Sequence, residues 1–193
     1  MRLFWLFLLA LGLAGCGVPA PEFKGSDITG ADFGKHLALT DHNGRPVTLE
    51  TFRGKLVVLF FGYTHCPDVC PTTLSDMAQA LRQVPPAVAG KVQVLFVSVD
   101  PERDTPEILK AYVPYFHPAF LGLYGTPADV ATVARAFRVA YRKHVEPGAT
   151  GYLVDHTAGS FVLDGTGRTR LYLPFALPPA DIAHDLGILA KGG

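Results

Sequence analysis

Leu56-Val57-Val58-Leu59-Phe60-Phe61-Gly62-Tyr63-Thr64-His65-Cys66-Pro67-Asp68-Val69-Cys70-Pro71 is the stretch on which the fold turns. Its first six residues are a continuous apolar run, the pattern of a central strand covered on both faces. Pro71 suits a first helical turn. Leu74, Met77, Ala78 and Leu81 then recur at helical spacing. Two thiols therefore stand at a strand-to-helix turn. Such a pair does one of two things: it exchanges disulfides, or it binds a soft metal ion.

The surrounding elements extend the pattern in both directions. Upstream, residues 33–39 and Pro46 to Leu49 flank the turn signal Thr40-Asp41-His42-Asn43-Gly44-Arg45 and read as a hairpin. Downstream, Val92 to Val99 is a second central strand. It ends in Asp100-Pro101-Glu102-Arg103-Asp104. Asp104-Thr105-Pro106-Glu107 has the form of a capping box opening a helix, with Asp104 as the expected cap. Thr126-Pro127-Ala128-Asp129 repeats that signal. Residues 139–145 and 152–154 flank a Pro-Gly turn and read as an excursion off the sheet. Ser160 to Leu163 and Thr169 to Leu173 form a hairpin across Asp164-Gly165-Thr166-Gly167. A last helix opens at Pro179, with Ile182, Leu186 and Leu189 facing in. Alternating strands and helices predict an α/β layered domain, and a dithiol after the first central strand predicts a thioredoxin-like one. In open α/β sheets, chemistry gathers at the carboxyl ends of the strands, where Cys66 and Asp100 both fall.

The N-terminus bears on compartment. Met1-Arg2, an apolar stretch from Leu3 to Leu13, and then Ala14-Gly15-Cys16 have the form of a secretory signal. The apolar stretch is shorter than the roughly 20 residues that span a bilayer. The small-small-Cys ending resembles a bacterial lipobox, with Cys16 as the lipidated residue. The expected organisation is a leader over 1–15, a lipid-attached tether over 16–26 and one domain over 27–193. The expected location is the extracytoplasmic face of a membrane, an oxidising compartment. Lipidation of Cys16 also resolves the odd count of three cysteines, leaving Cys66 and Cys70 as a pair. Lysine plus arginine equals aspartate plus glutamate at 17 each, with no basic run, so nucleic acid is not an expected partner.

Spacing sharpens the chemistry. Residues 66–70 wound as one helical turn would put their Cα atoms roughly 6 Å apart. That separation permits a disulfide, and equally a shared ion. A helix N-terminus favours thiolate, which is both nucleophile and ligand. Thioredoxin-type enzymes use Cys-x-x-Cys, whereas this is Cys-x-x-x-Cys. Two thiolates with a third ligand would suit Cu(I). Zinc would usually want a fourth, and no further cysteine is available.

Seven histidines are candidates for the third ligand. His65 adjoins Cys66, and neighbours usually point apart. His36, His42, His117, His144 and His184 sit in polar or helix-surface contexts and read as solvent-facing. His156 lies in a polar loop just before a strand. Spacing alone leaves it open between ligand and loop residue. Asp155 either orients His156, adds a weak oxygen ligand, or holds its own turn. Asp100 is a candidate to position the dithiol loop. A peroxidase is disfavoured, because Tyr63 stands where that pattern has threonine.

Three pieces, in this order, closely resemble the Sco/SenC family of copper chaperones for cytochrome c oxidase assembly. They are Gly62 to Pro71, Val97 to Thr105, and Asp155-His156-Thr157. The resemblance runs over about residues 27–190. It implies that Cys66, Cys70 and His156 hold copper, as Cu(I) or Cu(II). It implies delivery to the dinuclear copper centre of oxidase subunit II, or reduction of that subunit's cysteines by the Cys66–Cys70 dithiol. A periplasmic copper donor and a thiol reductant would be the other partners. The family is often anchored by a transmembrane helix, where lipid on Cys16 is expected here.

Overall fold

The computed structural model describes residues 22–148 and 150–192. Cys16, the leader and most of the expected tether lie outside them. Among the described residues, ten strands and five α-helices follow in order. They are β1 (Ser26–Asp27), β2 (Ala38–Asp41), β3 (Pro46–Thr48), β4 (Leu56–Gly62), α1 (Val69–Gln83), α2 (Pro86–Ala89), β5 (Val92–Ser98), α3 (Pro106–Phe116), β6 (Leu121–Tyr124), α4 (Pro127–Ala136), β7 (Tyr141–His144), β8 (Leu153–His156), β9 (Ser160–Leu163), β10 (Thr169–Leu173) and α5 (Pro179–Leu189). No helix among the described residues is long and apolar enough to cross a membrane.

Eight strands form one mixed sheet in the order β1-β10-β9-β4-β5-β6-β2-β3. Strands β4, β5 and β6 run parallel, with β9 antiparallel to β4 on the other side. The continuous apolar runs occupy the centre. Every residue of β4 and β5 is buried, as strands covered on both faces require. Helix α1 packs on α5, α3 lies against β6 and α4 against β2. Phe60, Phe61, Phe96, Phe120 and Phe137 are the largest fully buried side chains. Transfer of so much apolar surface from water is the main driving force for this core.

The early hairpin, both central strands, the late hairpin and the helix starts match the expected pattern. The excursion is present as well: among the described residues, β7 and β8 pair only with each other. Five details differ. Strand β6 is four residues long, too short for its period to stand out in the sequence. Strand β1 has two residues, and Ser26 pairs with Tyr172. The backbone N–H groups of Lys24 and Gly25 donate to the Asp185 carboxylate, so residues 24–26 of the expected tether are fastened to the domain. His42, expected in solvent, is buried, and its Nδ1 accepts from the Gly122 N–H. Finally, Thr105 rather than Asp104 caps α3, its side chain accepting from Ile108 N–H. Asp104 is occupied elsewhere.

Candidate metal centre

Cys66, Cys70 and His156 come together at the carboxyl edge of β4. One ligand atom from each lies within 4.8 Å of the others. No carboxylate or further histidine joins the cluster among the described residues. No disulfide joins the two cysteines.

Helix α1 begins at Val69, so Cys70 is in its first turn and Cys66 lies in the preceding loop. The helix N-terminus still serves the thiol, because the Cys70 N–H points at Cys66 Sγ at 3.4 Å. Cys66 is partly exposed and Cys70 fully buried. The two sulfurs differ accordingly. A hydrogen bond from the Cys70 thiol holds Cys66 down at about 3, helped by the Asp68 and Cys70 backbone. Cys70 is pushed well above the ordinary thiol range, by that same hydrogen bond and then by burial. The pair thus carries one proton, on the inner sulfur.

Glycine at position 62 makes room for the inner sulfur. A Cβ there would stand 2.7 Å from Cys70 Sγ and 2.8 Å from the Phe96 ring. Its backbone is not left-handed; the constraint is close approach.

His156 is the last residue of β8. Its Nδ1 lies 3.1 Å from the Thr157 carbonyl, which can only accept, so Nδ1 carries the proton. Nε2 then presents its lone pair to the dithiol, 3.4 Å from Cys70 Sγ. A ring oriented by its second nitrogen is the usual arrangement for a metal-binding imidazole. Phe60 and Tyr63 meet the imidazole edge-to-face, with centroids 5.9 and 6.0 Å away. These rings fix its plane and keep water from one side. A cleft of about 230 Å³ opens beside the site, lined by Cys66, Pro67, His144, Asp155 and His156 among others.

The aspartates sort differently from expectation. Asp155 does not orient His156. Alternation along β8 turns it outward, and its carboxylate lies 3.3 Å from His144 Nδ1 and 3.7 Å from Arg142. Asp100 does not touch the dithiol loop either. It is buried, accepts from Tyr152 O–H at 2.7 Å and pairs with Arg103. The residue that ties down the dithiol loop is Asp104. It accepts from Thr64 N–H at 3.1 Å, Thr64 O–H at 2.6 Å and Ser98 O–H at 2.7 Å. Burial raises its pKa despite these donors. The sequence signal for this role was available: Asp104 follows a strand end by a few residues, at the edge where Cys66 falls. The rival reading as a helix cap concealed it.

The donor set is two sulfurs and one imidazole nitrogen, with one sulfur already deprotonated. That combination fits a soft monovalent ion in three-fold coordination. It lacks the fourth ligand that structural zinc usually takes.

The SCO1/SenC family model matches residues 25–191. The mitochondrial SCO2 homolog of Bos taurus is 43% identical over 133 residues, 68% of this chain and 50% of that protein. Mitochondrial SCO2 of Saccharomyces cerevisiae is 41% identical over 132 residues, 67% of this chain and 44% of its own. The chain thus spans about half the length of these curated relatives. Among solved structures, apo Sco1 of Thermus thermophilus superposes with a TM-score of 0.77 at 44% identity, over 87% of this chain and 97% of that one. ScoI of Bradyrhizobium japonicum, solved with copper bound, gives 0.73 at 42% identity, over 81% and 99%. The thioredoxin-like architecture, the match over residues 25–191 and these identities agree, and the chain belongs to the SCO1/SenC family.

Proposed function

We propose that this protein binds one copper ion through Cys66, Cys70 and His156 and delivers it to the dinuclear copper centre of cytochrome c oxidase subunit II. The observation that carries the reading is the convergence of three soft or borderline ligand atoms within 4.8 Å, on elements far apart in sequence. Family membership and copper in the related Bradyrhizobium structure support it. Copper is the cargo. Cys66, already a thiolate and partly exposed, meets the incoming ion first. Cys70 gives up its proton as it becomes the second ligand, so loading releases a proton. His156 Nε2 completes the set without further proton transfer. Release reverses the order: ligands of the acceptor replace those of this protein one at a time, from the cleft side. We place the protein at the extracytoplasmic face of a membrane, held by lipid on Cys16, with a copper donor and a thiol reductant beside it.

A second reading, as a thiol–disulfide reductase, is favoured by the unequal sulfurs. The Cys66 thiolate would attack an acceptor disulfide and expel one acceptor thiolate. Cys70, deprotonated, would then attack Cys66 in the mixed disulfide. The acceptor leaves with two thiols, and this protein keeps the Cys66–Cys70 disulfide. In both readings that disulfide forbids copper binding, which is why a reductant is needed.

The deciding experiment presents the copper-loaded chain to the soluble domain of subunit II, first with reduced and then with oxidised acceptor cysteines. Copper transfer to the reduced acceptor that His156→Ala abolishes supports delivery. Reduction of the oxidised acceptor at the same rate in His156→Ala, without copper transfer, replaces delivery with the reductase reading.

A further inference from the structure

Among the described residues, the hairpin that brings His156 to the site has no strand neighbour in the main sheet. Something else must hold it there. On its inner side Val154 is buried and His156 meets Phe60 and Tyr63. On the other flank stands a polar latch. The Tyr152 O–H donates to Asp100 at 2.7 Å, and Arg103 Nη1 donates to the Tyr152 carbonyl at 2.9 Å. The Arg103 guanidinium lies 3.6 Å above the Tyr152 ring and pairs through Nε with the buried Asp100. Lys143 of β7 reaches the same loop, 2.7 Å from Glu102, and covers the same ring at 4.7 Å. Arg103 Nη2 is buried without a hydrogen-bond partner, so the hairpin and Asp100 hold this guanidinium in place of solvent.

The loop that supplies the latch also supplies Asp104, which fastens Thr64 two residues before Cys66. One short segment, Asp100 to Asp104, therefore grips both halves of the ligand set.

We propose that Arg103 and Tyr152 are positioning residues that set how firmly His156 is held against the dithiol, and so how long the protein retains its metal. The idea rests on the copper reading above, but its first consequence is metal-free. Arg103→Met loses together the hydrogen bond to the Tyr152 carbonyl, the cation stacked on its ring and the ion pair with Asp100. Neither of these partners, Tyr152 and Asp100, lies within β4 or β5.

Amide hydrogen exchange on the reduced, metal-free chain provides the primary test. In Arg103→Met the β7–β8 amides should exchange about tenfold faster or more, while β4 and β5 amides keep their rates. Tyr152→Phe, which keeps the ring and loses only the O–H to Asp100, should give a smaller acceleration confined to the same hairpin. Arg103→Lys keeps the charge but not the fork and should rescue only in part. Cu(I) competition then completes a double-mutant cycle. Arg103→Met should weaken binding about tenfold in the wild type, and less than twofold in the His156→Ala background. Unchanged hairpin exchange in both Arg103→Met and Tyr152→Phe overturns the proposal. So does an equal loss of copper affinity in both backgrounds, because it would mean that Arg103 acts without His156. A wild type whose copper binding ignores His156 would instead sink the copper reading, and hairpin exchange would still decide the latch.

Discussion

The two halves of the metal centre are mounted in different ways. Cys66 and Cys70 follow a strand buried along its whole length, Cys66 in the loop after it and Cys70 in the first turn of a fifteen-residue helix. His156 sits on a two-stranded ribbon outside the sheet, with exposed Arg142 and Lys143 on the strand opposite. Moving the thiols requires disturbing the core. Moving the histidine requires opening a few polar contacts and two ring edges. The difference gives the site a fixed side and a releasable side. Copper delivery, as proposed above, would use both.

The largest expected effect tests the fixed side. Cys70→Ala should lower Cu(I) affinity beyond the roughly 10–100-fold that loss of an outer partner costs at metal sites. It should exceed His156→Ala in a side-by-side chelator competition. Equal losses would mean that the two sides contribute alike, and the comparison would fail.

Stability should show the same asymmetry. Phe96→Ala, in the fully buried centre beside Cys70, should cost about 3–5 kcal/mol. Val154→Ala, under the hairpin, should cost only about 1–2 kcal/mol. Urea unfolding of the reduced chains measures both.

Thiol reactivity sharpens the fixed side further. Cys66 is held near 3 chiefly by the Cys70 thiol, so its carboxamidomethylation rate should be nearly flat from pH 5 to 8. An ordinary thiol would speed up about tenfold per pH unit over that range. In Cys70→Ala the main cause is gone, the Cys66 pKa rises, and the rate should fall at the acid end. A wild-type rate that climbs tenfold per unit would show that Cys66 is a protonated thiol over that range and not a thiolate.

The smallest effect belongs to Asp155. Its carboxylate faces Arg142 and His144 on the outer face of the hairpin. Asp155→Asn should change Cu(I) affinity less than about threefold, within the range of an exposed ion pair. A larger loss would restore Asp155 as a partner of the imidazole.

The sequence was informative where periodicity is long and strong. The apolar runs of β4 and β5 announced their burial, and the Cys-x-x-x-Cys turn announced its place after β4. Position 156 was less legible. Nothing local says that residues 153–156 pair with 141–144 and return to an edge set more than eighty residues earlier, because that pairing belongs to the tertiary fold. The resemblance supplied what spacing left open. Aspartate roles were least legible of all. Asp100, Asp104 and Asp155 look alike as turn residues, and their partners Tyr152, Thr64, Ser98 and His144 lie on separate elements. His42 failed for the same reason: a polar turn context does not reveal that the Gly122 N–H needs an acceptor.

An anaerobic Cu(I) competition titration of the reduced chain, run beside His156→Ala, addresses the central claim most directly. One tightly held copper in the wild type, with binding at least about tenfold weaker in the variant, is the result expected of a three-ligand site. Equal affinity in the two proteins would contradict it and leave a dithiol that binds copper without its histidine.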